Sequence, residues 1–316
     1  MWRKITLAAL VAVLAVPMMG LSHASALTVS PVIIEHEVQP GQTIVGTIKL
    51  LNEGEGTETY YAQAQDFVAG ETDGTPSFIG TATTNSMVSW VSFDTTAVTL
   101  DGGESALVIY RVAVPQNVDP GGYFAGLLFS TQRPDTDSGL GVVGATGPLL
   151  LVRVDGEVVE SGAVTAFDAA PSNGTSLPVD FNVTFANSGT VHVKPAGVIR
   201  ITNMFGGTAA VIPVNQAGGN VLPESDRSFT STWQKAELSE NASELVKEWR
   251  NYGFGPYTAT LIMNYGETNQ VVSASTNFWV MPWMLVVLFI ILLVVLALLL
   301  MQYNKWIIEN AKKSKK

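Results

Sequence analysis

The 316-residue chain contains no cysteine. That excludes a disulfide scaffold and thiolate metal sites, and leaves any exported part to be held by hydrophobic cores alone. Histidine is nearly as scarce, with three residues. Only His36 and His192 lie beyond the first 26 positions, and neither has a second histidine nearby, so the usual zinc spacings are missing. Helical periodicity is almost absent between 27 and 281. The sequence also lacks a Gly-x-Ser-x-Gly elbow, a phosphate-binding glycine loop and a His-Glu-x-x-His pair. No residue emerges as catalytic, cofactor-binding or metal-ligating, and the expectation is a non-enzyme without a cofactor.

Long apolar runs are confined to the two ends. Arg3 and Lys4 precede an apolar stretch at 5–19, and Ala24-Ser25-Ala26 supplies small residues at alternate positions, so 1–26 reads as a signal peptide cleaved after Ala26. At the other end, 283–301 carries no charge. As a helix these residues reach roughly 28 Å, close to the thickness of a hydrocarbon core. A transmembrane helix is therefore expected at 282–302. Phe278, Trp279 and Trp283 at one end and Tyr303 and Trp306 at the other match interfacial aromatic belts. Lys305, Lys312, Lys313, Lys315 and Lys316 follow, with Glu309 the one acid among them. By the positive-inside bias, 303–316 is a basic cytoplasmic tail and the ectodomain is extracytoplasmic, making a single-pass cell-membrane protein.

With both ends set aside, ten Lys and Arg face 26 Asp and Glu, leaving the ectodomain near −16. That balance opposes binding to nucleic acid and favours solubility. The 255 residues of 27–281 suit two domains. Short alternating apolar runs separated by turn residues predict strands at 27–38, 43–51, 58–67, 87–93, 106–114, 123–131 and 149–154, with Ile44, Ile48 and Leu50 on one face. The glycine-rich stretch 132–147 reads as a long loop. Within it, Asp135-x-Asp137-x-Gly139 resembles the opening of a calcium loop, but no later bidentate Glu follows, and a solvated loop is expected. Asn173, Asn182 and Asn241 open glycosylation sequons.

An internal repeat organises the rest. Asn52-Glu53-Gly54 is followed by Gly121-Gly122-Tyr123-Phe124-Ala125, and Asn187-Ser188-Gly189 by Gly255-Pro256-Tyr257-Thr258-Ala259. Asn52 and Tyr123 are 71 positions apart, Asn187 and Tyr257 70. Two copies of one fold are inferred, with domain 1 at 27–156 and domain 2 at 157–281. Asp119-x-Gly121-x-Tyr123 looks like the tyrosine corner of immunoglobulin-like domains, in which the hydroxyl bonds back to upstream backbone; Gly255 and Tyr257 repeat it, with Gly253 in place of the Asp. The fold expected is an all-β ectodomain of two tandem immunoglobulin-like antiparallel β-sandwiches plus one C-terminal transmembrane α-helix. Domain 2 alone carries a helical insertion at 235–250. Its stripe of Leu238, Ala242, Leu245 and Trp249 either binds a partner or packs on its own domain, and packing is the expectation.

The run from Ser30-Pro31-Val32 through Pro40-Gly41-Gln42 to Asn52, together with Val114-Pro115 to Tyr123, resembles the N-terminal domain of bacterial WxL-interacting cell-surface proteins. Those proteins share the layout of signal peptide, two sandwiches, transmembrane helix and lysine-rich tail. The resemblance implies a surface protein that binds cell-wall polymer or other surface proteins. Pilus chaperones share some of the same motifs and imply a second reading, a membrane-tethered chaperone that pairs an edge strand with secreted or surface subunits.

Overall fold

The computed structural model describes residues 27–70, 74–133, 144–239 and 241–313. The expected signal peptide, the calcium-like motif and most of the 132–147 loop lie outside them. The chain divides into two compact units. One holds residues up to Phe67, Phe78–Asp119 and Tyr123–Val154; the other holds Val68–Ser77, Pro120–Gly122 and everything from Asp155 onward.

In domain 1, β1 (Leu27–Ser30), β3 (Thr43–Asn52), β8 (Ser105–Ala113) and β6 (Val91–Phe93) form one sheet in the order β1-β3-β8-β6. The second sheet runs β2 (Ile33–Val38), β10 (Leu149–Val154), β9 (Gly121–Ser130), β4 (Glu58–Ala69) and β5 (Pro76–Ile79), with β7 (Ala97–Leu100) also on β4. Alternation sets the faces, since successive side chains of a strand point to opposite sides. Ile44, Ile48 and Leu50 of β3 are buried, while Val45 between them is exposed. They pack with Tyr60, Leu127, Phe129 and Val152 from the other sheet.

Stretch 27–38 is two strands rather than the single strand expected. β1 pairs antiparallel with β3, and β2 pairs parallel with β10. Pro31 stands at the break, where it has no amide hydrogen to give either ladder.

Domain 2 repeats this path. β11 (Gly162–Ala170), β13 (Val179–Asn187) and β16 (Ser225–Trp233) form one sheet. β12 (Asn173–Gly174), β18 (Gln270–Val280), β17 (Gly255–Tyr265), β14 (Ala196–Asn203) and β15 (Thr208–Val214) form the other, in that order. Here too the opening segment splits between sheets: β11 pairs antiparallel with β13, and β12 pairs parallel with β18. Both domains are immunoglobulin-like sandwiches. The core of the second is aromatic, with Phe181, Trp233, Tyr257 and Phe278 in mutual ring contact at 5.2–5.9 Å between centroids. Phe278 is therefore a core residue and no part of an interfacial belt, because its position in β18 alternates inward while Trp279 points out.

Among the described residues of the 235–250 insertion, Glu244–Arg250 alone is helical, α1. Leu245 and Trp249, expected to pack, are 44% and 71% exposed, and the buried residue is Glu248. The charged side chain wins the inward position because its carboxylate has a partner there, the Leu285 amide, which donates to it at 3.0 Å. The C-terminal helix α2 spans Trp283–Lys313, so the first part of the expected tail continues the helix. Within its Trp283–Ile308 stretch an 18-residue window reaches a mean hydropathy of 3.6, and the stretch is long and apolar enough to cross a membrane.

Candidate functional site

The residues singled out by the repeat sit at matching places and do structural work. Asn52 and Asn187 are the last residues of β3 and β13 and are almost wholly buried. The Asn52 Oδ1 accepts the Gly54 amide at 3.0 Å while Nδ2 donates to the carbonyls of Gly56 and Leu100, at 2.8 and 3.2 Å. In domain 2, the Asn187 Oδ1 accepts the Gly189 amide at 2.9 Å, and Nδ2 donates to the carbonyls of Val191 and Val221 at 2.9 and 3.0 Å. Each Asn thus ties its own turn to the segment that leads into the third strand of its sheet, β8 or β16. Only a side chain with an acceptor and a donor on one amide does both.

Gly121 and Gly255 open β9 and β17. Gly255 has φ 85°, a left-handed value that favours glycine. The Tyr123 hydroxyl donates to the Asp119 carbonyl at 3.1 Å, and its ring lies 4.6 Å from that of Trp90. In domain 2 the polarity is reversed: the Tyr257 hydroxyl accepts the Phe254 amide at 3.1 Å. These nine positions, Asp119 and Asn52 among them, are divided between the two repeats, and none of them lines the groove or the cavity described below.

The sequence raised edge-strand pairing without showing which strands are edges, and the sheet order names them. β15 pairs with β14 and β16 with β13, and neither has a second strand beside it among the described residues. Between these edges lies a groove of about 460 Å³, lined by Ile212, Pro213, Asn215, Gly219, Arg227 and Thr230 among others. One side-chain link crosses it, from the Ser231 hydroxyl to the Pro213 carbonyl at 2.8 Å. Arg227 donates through Nη1 to the Asn220 carbonyl at 2.8 Å and sits over the Phe229 ring, while its Nε is buried with no hydrogen-bond partner among the described residues. The edges of domain 1 are shorter, four residues in β5 and three in β6 against seven and nine in β15 and β16. Short edges are one way proteins prevent unwanted strand pairing. The signal that could have found the groove is Pro213, since a proline within an alternating strand marks an edge.

No family model matches the chain, and no curated protein matches it. Solved structures similar to it include a chaperone–tip adhesin complex of CFA/I fimbriae (12% identity over 80% of this chain and 99% of that one, TM-score 0.38). Others are the class 5 fimbriae chaperone CfaA (11%, 81% and 100%, 0.37) and the CsuC–CsuE chaperone–tip subunit complex of Acinetobacter baumannii (10%, 79% and 98%, 0.35). At TM-scores below 0.4 these likenesses bear no argument about function.

Proposed function

We propose that this chain is a non-enzymatic, single-pass membrane protein whose extracytoplasmic sandwiches hold a secreted or surface polypeptide by edge-strand pairing. The observation that carries the reading is the pair of long edges, β15 and β16, each of which leaves the main-chain donors and acceptors of its unpaired side available for an added strand. Helix α2 supplies the anchor, and the lysines from Lys305 to Lys316, by the positive-inside bias, favour a cytoplasmic C-terminus. The layout shared with WxL-interacting surface proteins fits a partner that is itself a surface protein. Binding of cell-wall polymer, also implied by the WxL resemblance, is the competing reading.

The test is site-directed photo-crosslinking in the native cell, with the crosslinker at Val211 in β15 or Thr230 in β16. A polypeptide adduct is expected, and it should disappear when lysine replaces the other of the two exposed residues, because a charged edge blocks strand addition without disturbing the core. Retention of the ectodomain on isolated wall polymer, with no adduct at either position, would overturn the proposal in favour of polymer binding.

A further inference from the structure

Five aromatic side chains are exposed in the described ectodomain: Phe205, Trp249, Tyr252, Phe254 and Trp279. All five belong to domain 2, and all five gather at one end of it. Phe205, the most exposed at 85%, tips the hairpin between β14 and β15. Asn203, just before that tip, pairs with Tyr257, and Gly255 pairs with Val280, so the tip lies at the end of the sheet from which α2 departs. A Cβ at Gly255 would stand 3.2 Å from the Met204 sulfur, which places this hairpin beside the start of β17. Trp249, Tyr252 and Phe254 come from α1 and the loop after it. They line a cavity of about 440 Å³ whose remaining walls are Pro282 and Leu285, at the start of α2. The Glu248 carboxylate, buried and accepting the Leu285 amide, locks α1 to that same turn.

Bilayer geometry turns this arrangement into a site. If α2 spans the membrane, its first turn must lie at the boundary between headgroups and acyl chains. Residues sharing a cavity with Leu285 then fall within the roughly 5–10 Å layer that interfacial helices occupy. Tyrosine and tryptophan prefer that layer, because one end of each ring system is apolar and the other polar. The Leu245, Val246 and Trp249 surface of α1 is apolar and open, and Lys235 stacks on Tyr252 with its Nζ 3.7 Å from the ring centroid, where it can reach back to the headgroups.

We infer that the membrane-proximal end of domain 2 is a lipid-binding face, in which α1, the cavity beside Pro282 and the Phe205 hairpin enter the outer headgroup–acyl boundary and fix domain 2 against the membrane surface. The inference rests on the membrane reading of α2 above. It does not depend on the β15–β16 groove.

The absence of cysteine allows a direct test. Single cysteines at Leu245, Tyr252 and Phe205 carry a nitroxide label in the full chain reconstituted into phosphatidylcholine vesicles, with Ile290→Cys as a reference within α2 and Thr47→Cys as a reference in solvent. The expected result is collision with dissolved oxygen exceeding collision with an aqueous nickel chelate at the first three positions, as at Ile290. Labels at 245, 252 and 205 that behave like the one at 47, while the one at 290 stays in lipid, overturn the lipid-binding face and leave the anchor standing. An aqueous signal at 290 as well overturns the anchor, and the inference with it.

Discussion

At the residue scale, the asparagine that closes each repeat turn reaches well past its own loop. Replacing Asn52 or Asn187 with alanine removes one partner from the carbonyl of Leu100 or Val221 and the acceptor for the turn amide of Gly54 or Gly189, and each change is expected to cost about 1–3 kcal/mol, read from the denaturant midpoint of the domain concerned. Asn187→Asp should recover only part of this, since it keeps the acceptor for Gly189 and loses the donor. A second local dependence joins Gly46, Tyr110 and His36. Gly46 lies directly opposite Tyr110 in the β3–β8 ladder, and a Cβ there would run into the Tyr110 ring and hydroxyl, so Gly46→Ala is expected to destabilise domain 1 by about 1–3 kcal/mol. That hydroxyl lies 3.1 Å from the His36 Nε2, and burial holds the imidazole below its ordinary value while pushing the phenol up. The unfolded chain takes up its proton near pH 6.5, before the folded one does, so the His36 contribution is full above that pH and is lost as pH falls through it. Denaturation midpoints measured on either side of pH 6.5 should separate in the wild type and converge in His36→Gln; equal slopes in both proteins would remove His36 as the cause.

Among the elements, strands were far easier to read than the one short helix. Alternation with a buried face left β3 and β8 plain in the sequence, because period two and inward burial reinforce each other. The division of 27–38 into β1 and β2 was not legible, since both halves alternate and only the partner strand differs. The two-residue β12 and the four-residue β5 were too short to leave a pattern. For α1 the spacing gave an apolar stripe but could not say what covers it, and the choice of Glu248 for the interior depends on an amide 37 residues away. The groove suffered similarly: an edge is defined by the strand that is missing beside it, which no local pattern records. Glu248 also carries the prediction for this scale. Its carboxylate satisfies one of the amides that α2 leaves free at its start, at the positive end of the helix dipole. Glu248→Leu is expected to forfeit a charge-assisted bond of about 1.5–3 kcal/mol, seen as amide exchange in 244–250 accelerated about tenfold or more. Glu248→Gln, which keeps an acceptor, should fall between the two; unchanged exchange in the leucine variant would show that α1 is held by something else.

For the whole molecule, the two hydrophobic clusters settle how stability is distributed. The first draws its buried residues from Ile34 to Val154 and the second from Leu177 to Val280, with none in common. Cooperativity in unfolding follows shared burial, so two cores without a shared residue should melt as two units. The absence of disulfides removes the covalent route by which one could restrain the other. In denaturant, the full chain in detergent micelles should therefore show two transitions, above a helical baseline contributed by α2. Asn52→Ala should move only one of them, and Asn187→Ala only the other. The Glu248→Leu change should leave the Asn52-sensitive transition where it was, because its contacts lie wholly within the second unit. A single transition that shifts with either asparagine would contradict this picture and mean that the two sandwiches fold as one cooperative body.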